Sequence, residues 1–258
     1  MVPSKADRQN VVRRAFYRFY TKAEARLVPG LTSSQYKYYE TVRSLVGGKI
    51  WLDLGCGHQV FADWMAKEQA DVLDRCRKVF GIDLDWAGLR AHPGIANKTF
   101  GDLTELPFAA ASVELVSANM VAEHLEDPAG VLREIHRVLK PGGAFVFHTP
   151  NARGWVIQIA SRIPETFKKR LIWYLERRRA EDVFLTHYRL NTAEEIGKAA
   201  SETGFSVEDI HMVSSSAATV MLGPVVLAEL LYIRAIQQPQ RRGLRSNIVA
   251  VLRKKVGT

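Results

Sequence analysis

The chain has 258 residues, of which 47% are apolar, which suits one large domain with a substantial core. Lys and Arg number 36 against 27 Asp and Glu, so the formal charge of +9 favours anionic surroundings: nucleic acid, anionic lipid or an acidic substrate. The only cysteines, Cys56 and Cys76, form no CxxC motif, which gives no support for a disulfide framework or an iron–sulfur site and fits a reducing compartment.

The first predicted element is a helical extension over residues 1–46. Its opening residues, MVPSKADRQNVVRRAF, lack the apolar core of a signal peptide, so we expect a cytoplasmic protein. Apolar residues recur at helical spacing in QNVVRRAFYRFYTKAEARL, and basic residues lie between them. We expect this extension to act as a lid over a bound ligand.

Strand and helix alternate through the middle of the chain. Buried strands are predicted in KIWLDLG, KVFGIDLD, SVELVSANM and AFVFHTPN, and a shorter strand with a loop in NKTFGDLTELPF. Helical spacing predicts helices in HQVFADWMAKEQA and PAGVLREIHRVL, the second of which ends at KPGG. This order predicts an α/β fold with a mostly parallel, Rossmann-like sheet covered by helices on both faces. Ligands of such sheets bind at the carboxyl ends of the strands.

Two further additions and the last core elements follow. Residues 152–182 form an insertion in which aromatic and basic residues interleave, ETFKKRLIWYLERRRAED. The core resumes with a helix in NTAEEIGKAASETGF and strands in SVEDIHMVS and SNIVAVLRKK. Residues 214–245 separate these strands and carry GPVVLAELLYIRAI, an apolar helix led by Pro224 that is shorter than the ~20 residues needed to cross a bilayer. We expect a single domain over residues 1–258.

Three interpretations of these additions remain open. Their apolar faces could pack on the core and leave the basic residues in solvent. They could instead form an apolar pocket or a membrane-facing surface, with Arg241, Arg242 and Arg245 against anionic headgroups. The same basic and aromatic mixture could bind nucleic acid, although no recognised RNA-binding motif accompanies it.

A glycine-rich turn follows the first strand, in WLDLGCGH. Gly55 and Gly57 match only the start of the dinucleotide fingerprint GxGxxG, because the third glycine is missing. Acidic residues lie at three successive strand ends, at Asp53, Asp83 and Asp102. Each alone could be a loop acid or a helix cap. Together they indicate a pocket for an adenosine with a positively charged tail and no phosphates, since the P-loop motif GxxxxGK[ST] is also absent.

The successive motifs resemble those of class I S-adenosylmethionine-dependent methyltransferases, above all the small-molecule branch called type 11. They are WLDLGCGHQVF, VFGIDLD, GDLTELPF, VELVSANMVAEHLEDP, LREIHRVLKPGGAFVFHTPN and ETGF, in the family's order from about Gly48 to Val213. The resemblance implies a seven-stranded sheet whose last strand is antiparallel. One departure is the spacing of about thirty residues between Asp53 and Asp83, which we assign to a surface loop around EQADVLDRCRK.

The resemblance also implies a cofactor, S-adenosyl-L-methionine, with S-adenosyl-L-homocysteine as product. The turn after the first strand would line its methionine part, so that a side chain at position 55 would enter the cofactor's space. Asp83 would bind the ribose, Asp102 and Leu103 the adenine, and Asn119 and Met120 would flank the sulfonium. The full set of expected cofactor-binding residues is Asp53, Gly55, Cys56, Gly57, Asp83, Leu84, Asp102, Leu103, Asn119 and Met120.

Methyl transfer from a sulfonium is an in-line displacement that needs alignment, and it needs a base only when the acceptor is a weak acid such as an alcohol. His187, in HYRLNT, and His124, in AEHLEDP, are the candidate bases, because imidazole titrates near neutral pH. His148 lies inside a strand and is expected to be a hydrogen-bonded core residue. We expect no metal, because the end of the fourth strand, SANM, offers no carboxylates for Mg²⁺.

These features predict a methyltransferase that acts on a small molecule, with oxygen as the commonest acceptor atom in the resembling family. The acceptor would be lipid-linked, sugar-containing, quinone-like or another natural product, and peripheral contact with a membrane surface is a further expectation. An RNA-directed methyltransferase is the alternative, although SANM replaces the [DNS]PP[YF] motif of enzymes that methylate exocyclic base amines. A non-catalytic module and a dinucleotide oxidoreductase are disfavoured. The oligomeric state is left open.

Overall fold

The computed structural model describes residues 5–160, 162 and 185–256. Where one domain was predicted, the chain clusters into two compact units. The sheet-bearing unit comprises Ser34–Ala152, Phe184–Met212 and Asn247–Thr258. The helical unit comprises the remaining segments, Met1–Ser33, Arg153–Val183 and Val213–Ser246. The three additions expected from the sequence therefore contribute to one cluster of their own, apart from the second half of the N-terminal extension.

The sheet-bearing unit is built on a seven-stranded sheet with the order β3-β2-β1-β4-β5-β7-β6. Its strands are β1 Ile50–Leu54, β2 Lys78–Asp83, β3 Asn97–Phe100, β4 Val113–Asn119, β5 Leu139–Pro150, β6 Phe205–Val213 and β7 Asn247–Lys254. Strand β1 pairs in parallel with β2 and β4, β2 with β3, and β4 with β5, whereas β7 runs antiparallel to β5. The predicted Rossmann-like sheet with an antiparallel last strand is confirmed. The carboxyl ends of its parallel strands meet at one edge.

Helices cover both faces of this sheet. The described helices are α1 Lys5–Leu27, α2 Ser34–Val46, α3 Ala66–Arg75, α4 Trp86–Ala91, α5 Pro128–Val138, α6 Trp155–Ala160, α7 Ala193–Glu202 and α8 Val225–Ile236. Side chains alternate along β1, so Leu52 and Leu54 enter the core that α5 and α7 cover. Trp51 and Asp53 point to the opposite face, where α2 lies against β4, β5 and β7.

The position of α2 differs from the prediction for the N-terminal extension. Residues 1–46 were expected to form one addition, but the second helix belongs to the sheet-bearing unit. Its residues Tyr38, Val42 and Val46 are fully buried. An amphipathic pattern shows that a helix has an apolar face but does not show which element that face will cover.

The helix predicted from residue 58 begins later than expected. A short 3-10 turn covers Asp63–Met65 and α3 follows it. Val60 and Phe61 are buried in the loop before this turn, and the ring of Phe61 contacts Tyr38 and Tyr39 edge-on at centroid distances of 5.7 Å. Most of the segment EQADVLDRCRK, predicted as a surface loop, is helical up to the end of α3 at Arg75. The long spacing between Asp53 and Asp83 is therefore taken up by a helix.

Side-chain caps mark the starts of two helices. Helix α5 is capped by Asp127, whose carboxylate accepts from Gly130 N at 2.9 Å, and α7 is capped by Thr192. The strand after α5 begins at Leu139, earlier than AFVFHTPN. Its register against β4 shifts between Val113 and Leu115 because the KPGG segment is accommodated there.

The helical unit has its own apolar core, contributed by α1, α8 and the segment between β6 and α8. Its buried members are Tyr20, Val28, Ala217, Val220, Val226, Leu230 and Ile233. Glu229, the one acid of α8, accepts from Ala218 N and Thr219 N at 2.8 Å and from the Thr219 hydroxyl at 2.6 Å. In sequence α8 lies between β6 and β7, and it contacts the N-terminal helix α1.

Most of the predicted insertion over residues 152–182 lies outside the described residues. Its described part begins with α6. Within the described ranges of the chain, no helix is long and apolar enough to cross a membrane.

Candidate functional site

The turn after β1 depends on two glycines with different surroundings. Gly55 has φ +61°, and a Cβ placed there would lie 2.4 Å from Val121 Cγ2. Gly57 has φ +46°, and the nearest atom to its Cβ position is Asp83 Oδ2 at 4.0 Å. A side chain at position 55 was expected to enter the cofactor's space, and the structure shows that it would also collide with Val121, which follows β4. The space beside Gly57 is open.

Asp83 joins this turn to the end of β2. Its Oδ2 accepts from Gly57 N at 2.7 Å, and its Oδ1 accepts from Asp85 N at 2.7 Å. The side chain is half-buried, and the neighbouring Leu84 is 57% exposed. Each carboxylate oxygen has two lone pairs, so both oxygens can still accept from a pair of hydroxyl groups. The structure thus brings together two of the predicted cofactor residues.

Asp53 lies beneath the turn and is only 1% exposed. Its Oδ1 accepts from the hydroxyl of Ser117, which in turn accepts from Trp51 Nε1 at 2.6 Å. Burial raises the pKa of Asp53 to about 8, and the charge of Asp83 adds to this rise in pKa. The predicted methionine-binding acid is therefore a largely protonated carboxyl under the loop at neutral pH.

Cys56 also points away from the surface. Its sulfur would lie 2.6 Å from a Cβ at Gly81, so the thiol fills the space that this strand glycine leaves. Burial raises the pKa of the Cys56 thiol. Cys56 can therefore reach a ligand through its backbone rather than its side chain.

Asp102 and Leu103 follow β3. Asp102 is exposed, and its Oδ1 accepts from Thr104 N at 2.9 Å, which fixes the carboxylate in a local turn. Leu103 is half-buried and packs on the core of the sheet-bearing unit. The parallel pairing of β1, β2 and β3 brings these two residues to the same sheet edge as the turn and Asp83.

A hydrogen-bonded network holds Asn119 at the end of β4. Its Nδ2 donates to Val60 O at 2.9 Å and to Gln35 Oε1 at 3.0 Å, and its Oδ1 lies 2.9 Å from His148 Nδ1. Because this oxygen can only accept, His148 carries a proton on Nδ1. Burial lowers the pKa of His148 to about 4, so the imidazole is neutral. Its ring stacks on Tyr38 at 5.8 Å, as expected for a core histidine.

Met120 follows directly and has φ +58°, an uncommon conformation for a residue with a side chain. Its N–H donates to His148 O at 2.8 Å, and the side chain is 39% exposed. The network therefore fixes both predicted sulfonium-side residues. Gln35 was missed from the sequence, because a polar residue in the first turn of a helix carries no signal of a partner 84 positions away.

The two candidate bases lie on segments that are hydrogen-bonded to each other. His187 N and Tyr188 N both donate to Glu123 O, at 2.7 Å and 3.2 Å, and His124 Nδ1 lies 2.9 Å from Leu185 O. A carbonyl oxygen only accepts, so Nδ1 of His124 carries the proton and Nε2 of its neutral form bears the lone pair. The structure thus brings the HYRLNT segment to the residues after β4.

A buried acid that the sequence did not single out lies under these segments. Glu123 is 3% exposed, and burial raises the pKa of its carboxyl. Its Oε2 accepts from the hydroxyl of Thr149 at 3.0 Å, and that hydroxyl accepts from Asn191 Nδ2 at 2.7 Å. Across residues 5–160, 162 and 185–256, no group of three or more His, Cys, Asp or Glu side chains could hold a metal ion.

A family model described as a methyltransferase domain matches residues 23–210. The chain belongs to the class I S-adenosylmethionine-dependent methyltransferases. A similar solved structure is an S-adenosylmethionine-dependent methyltransferase from Mesorhizobium loti, with a TM-score of 0.56 at 22% identity over 86% of this chain and 98% of that one. At this identity the likeness shows the fold.

Curated relatives of this methyltransferase chain match about half of it. A probable S-adenosylmethionine-dependent methyltransferase of Mycolicibacterium smegmatis is 36% identical over 135 residues, 49% of this chain and 50% of the relative. A ubiquinone biosynthesis O-methyltransferase of Acinetobacter baumannii is 32% identical over 121 residues, 43% of this chain and 48% of the relative. The chain spans about half the length of these curated relatives.

The residues at the sheet edge fit the cofactor of this family. The space at Gly57 would be filled by a Cβ, which leaves room for a ligand to approach the backbone. Asp83 offers the paired acceptors that ribose hydroxyls need, and the exposed Asp102 can accept from an amine. When bound, S-adenosyl-L-methionine supplies a methyl group on a positively charged sulfur and leaves as S-adenosyl-L-homocysteine.

Proposed function

We propose that this chain transfers a methyl group from S-adenosyl-L-methionine to an oxygen atom of a small-molecule acceptor. The observation that carries the choice of oxygen is the orientation of His124, whose Nδ1 faces a backbone carbonyl. An imidazole held in this tautomer presents Nε2 as a base for a hydroxyl proton. The name of one relative, a ubiquinone biosynthesis O-methyltransferase, supports the same acceptor atom.

In this proposal the residues at each strand end bind a different part of the cofactor or the acceptor. Asp83 holds the ribose hydroxyls, while Asp102 and Leu103 hold the adenine ring. Asn119 is fixed from three sides and, with Met120, shapes the site beside the sulfur. His124 takes the proton from the acceptor hydroxyl, and His187 lies on the adjoining segment as the second candidate base. These residues align the reactants and exclude water, which accounts for much of the catalysis of such a displacement.

The first experiment tests the cofactor and the acceptor atom separately. Calorimetry with S-adenosyl-L-methionine and S-adenosyl-L-homocysteine should show binding of both. The purified chain is then incubated with radiolabelled cofactor and either 3,4-dihydroxybenzoate or the matched amine 3,4-diaminobenzoate, as simple aromatic probes. Methyl incorporation into the hydroxyl probe in preference to the amine supports the proposal. Incorporation into RNA but into neither probe overturns it.

The base is tested by His124→Gln and His187→Gln, with His211→Gln as a matched control on the edge strand β6. Loss of the base should reduce turnover of the hydroxyl probe by about 10²–10⁴-fold, with cofactor affinity retained. If His187→Gln alone has this effect, the base is His187. If neither variant lowers turnover by tenfold, no imidazole acts as the base and the reaction proceeds by positioning alone.

A lipid-linked acceptor is the substrate class that we favour within this proposal, because α8 of the helical unit leaves Val225 and Leu231 more than half exposed. It is tested with a long-chain alkyl ester of 3,4-dihydroxybenzoate against the free acid. A lower KM for the ester, at equal cofactor affinity, is the expected result. Equal KM values for the two probes would contradict a lipid-linked acceptor without affecting the choice of oxygen.

A further inference from the structure

Helix α8 in the helical unit has one buried and one exposed apolar side. Its buried side carries Val226, Leu230 and Ile233, which enter the core of this unit. On the other side Val225 is 54% exposed and Leu231 is 53% exposed. Residues at positions i, i+3 and i+4 share a helix face, so the exposed side also includes Ala228, Leu227 and Tyr232. We call this set, Val225, Leu227, Ala228, Leu231 and Tyr232, the outer face of α8.

The apolar surface continues beyond this helix. The ring of Tyr232 contacts Trp155 of α6 at a centroid distance of 6.3 Å. On α6, Val156 is 38% exposed and Ile159 is 50% exposed. Leu222, in the turn before α8, is 39% exposed. Single exposed apolar residues are ordinary, but a run of them across two helices of one unit is typical of an interaction site.

Exposed arginines lie at one end of this surface. Arg234 continues the helical stripe of Leu227 and Leu231, and Arg241 and Arg242 are exposed in the 3-10 turn Pro239–Leu244. The one acid between residues 225 and 245 is Glu229, whose carboxylate is buried against the Thr219 turn. The charge exposed along this stretch is therefore positive.

Arg245 does not belong to this rim, contrary to the set of three arginines expected from the sequence. Its guanidinium donates to Gln237 O at 2.8 Å and to Ile236 O at 3.3 Å, so it satisfies carbonyls at the end of α8. The arginines suited to an external partner are Arg234, Arg241 and Arg242, and Arg245 is excluded from the test because its loss would loosen the helix.

We propose that the outer face of α8 docks on the surface of an anionic lipid bilayer, with Arg234, Arg241 and Arg242 against the phosphate groups. An apolar face bordered by basic residues is the pattern of helices that lie in the membrane interface. A second copy of the chain on the same face is a different occupant, and light scattering in the test below separates it from a bilayer. The proposal is independent of the acceptor, since docking needs no turnover.

The test is co-sedimentation of the full chain with vesicles of phosphatidylcholine alone and of phosphatidylcholine mixed with phosphatidylglycerol. We expect the chain to pellet with the mixed vesicles and to be released by salt. Arg234→Gln/Arg241→Gln/Arg242→Gln should weaken the partition by about 100-fold, since each basic residue near such a surface contributes about fivefold. Val225→Ser/Leu231→Ser should weaken binding at every salt concentration.

Matched controls come from the sheet-bearing unit. The triple variant Arg90→Gln/Arg133→Gln/Lys198→Gln removes the same number of positive charges. Val207→Ser replaces an apolar side chain that is 40% exposed by a polar one. Both should pellet like the unaltered chain. An equal loss of vesicle binding in the two triple variants would show that binding depends only on net charge, and this would overturn the proposal. So would a chain that stays in the supernatant with both vesicle types, or a dimer in light scattering that Leu231→Ser dissociates.

Discussion

At the scale of single residues, Asp83 has two roles that can be separated. Its carboxylate holds the backbone of Gly57 and of Asp85, and it is the proposed acceptor for the ribose. A hydrogen bond to a charged group contributes about 1.5–3 kcal/mol, so Asp83→Ala should weaken S-adenosyl-L-methionine binding by roughly 10–100-fold or more in calorimetry. The control is Asp85→Ala, which removes only the cap of α4. An equal loss in the control would show that the effect comes from the loop.

The two glycines of the turn should respond differently to alanine. Gly55 has φ +61° and a Cβ there would collide with Val121 Cγ2, so Gly55→Ala should lower the free energy of unfolding by about 2–5 kcal/mol, the sum of backbone strain and overpacking. At Gly57 the space is open, so Gly57→Ala should cost only the backbone strain of about 1–2 kcal/mol and should mainly weaken cofactor binding. Urea unfolding and calorimetry on both variants measure this. Greater destabilisation in Gly57→Ala would contradict the assignment.

The positions of site residues were predictable where the fold alone brings the residues together. Acids that end successive parallel strands must meet at one sheet edge, so Asp83 and Asp102 could be selected from the sequence. Gln35 and Glu123 could not, because their partners come from segments 84 and 26 positions away. Asp53 was expected to line the cofactor site at its strand end, and its burial was not expected, because the helix α2 that lies over this face of the sheet had been assigned to a separate extension.

At the scale of elements, α2 connects the N-terminal region to the site. Its buried side packs on the sheet, and Gln35 in its first turn holds Asn119. The sequence analysis placed these residues in a helical extension, residues 1–46, that was expected to act as a lid. The pairing of α2 with β4 and β5 is a long-range choice that local patterns do not encode, which explains why the predicted boundary at residue 46 differs from the division at Ser34.

The contact between Gln35 of α2 and Asn119 predicts that kcat depends on Gln35. Gln35→Ala removes two hydrogen bonds from the Asn119 amide, so kcat for a methyl acceptor should fall by roughly fivefold or more for a typical bond worth about 1 kcal/mol. Gln35→Glu retains the acceptor for Asn119 Nδ2 and should restore part of the rate. The exposed Glu40→Ala on the same helix serves as control. A KM effect with unchanged kcat would count against a positioning role for Gln35.

At the scale of the whole molecule, the mostly parallel sheet was predictable because strands and helices alternate along the chain, and the antiparallel β7 was predicted from the family resemblance. The clustering of the additions into a unit of their own was predicted only in part, through the pairing of α1 with α8. The sequence left open whether the apolar surface of α8 would be buried or would face a membrane, and Val225 and Leu231 are each more than half exposed. The periodicity shows which positions of a helix are apolar, but it does not show whether another element will cover them.

The buried Asp53 makes the stability of the chain depend on pH. Its pKa is raised to about 8 in the folded chain, against about 4 when the chain is unfolded. The folded chain then binds the proton more tightly than the unfolded chain. The contribution of Asp53 to the free energy of unfolding should therefore be largest below pH ~4 and should be lost as the pH rises through ~8.

Asp53→Asn keeps an acceptor for the Ser117 hydroxyl and removes the titration. Urea unfolding between about pH 5 and pH 9 should show that the unaltered chain loses stability relative to Asp53→Asn, whereas the exposed Glu40→Gln should run parallel to the unaltered chain. Because the histidines titrate alike in all three proteins, their contributions cancel in the differences. Parallel profiles for the unaltered chain and Asp53→Asn would show that this carboxyl is ionised beneath the turn.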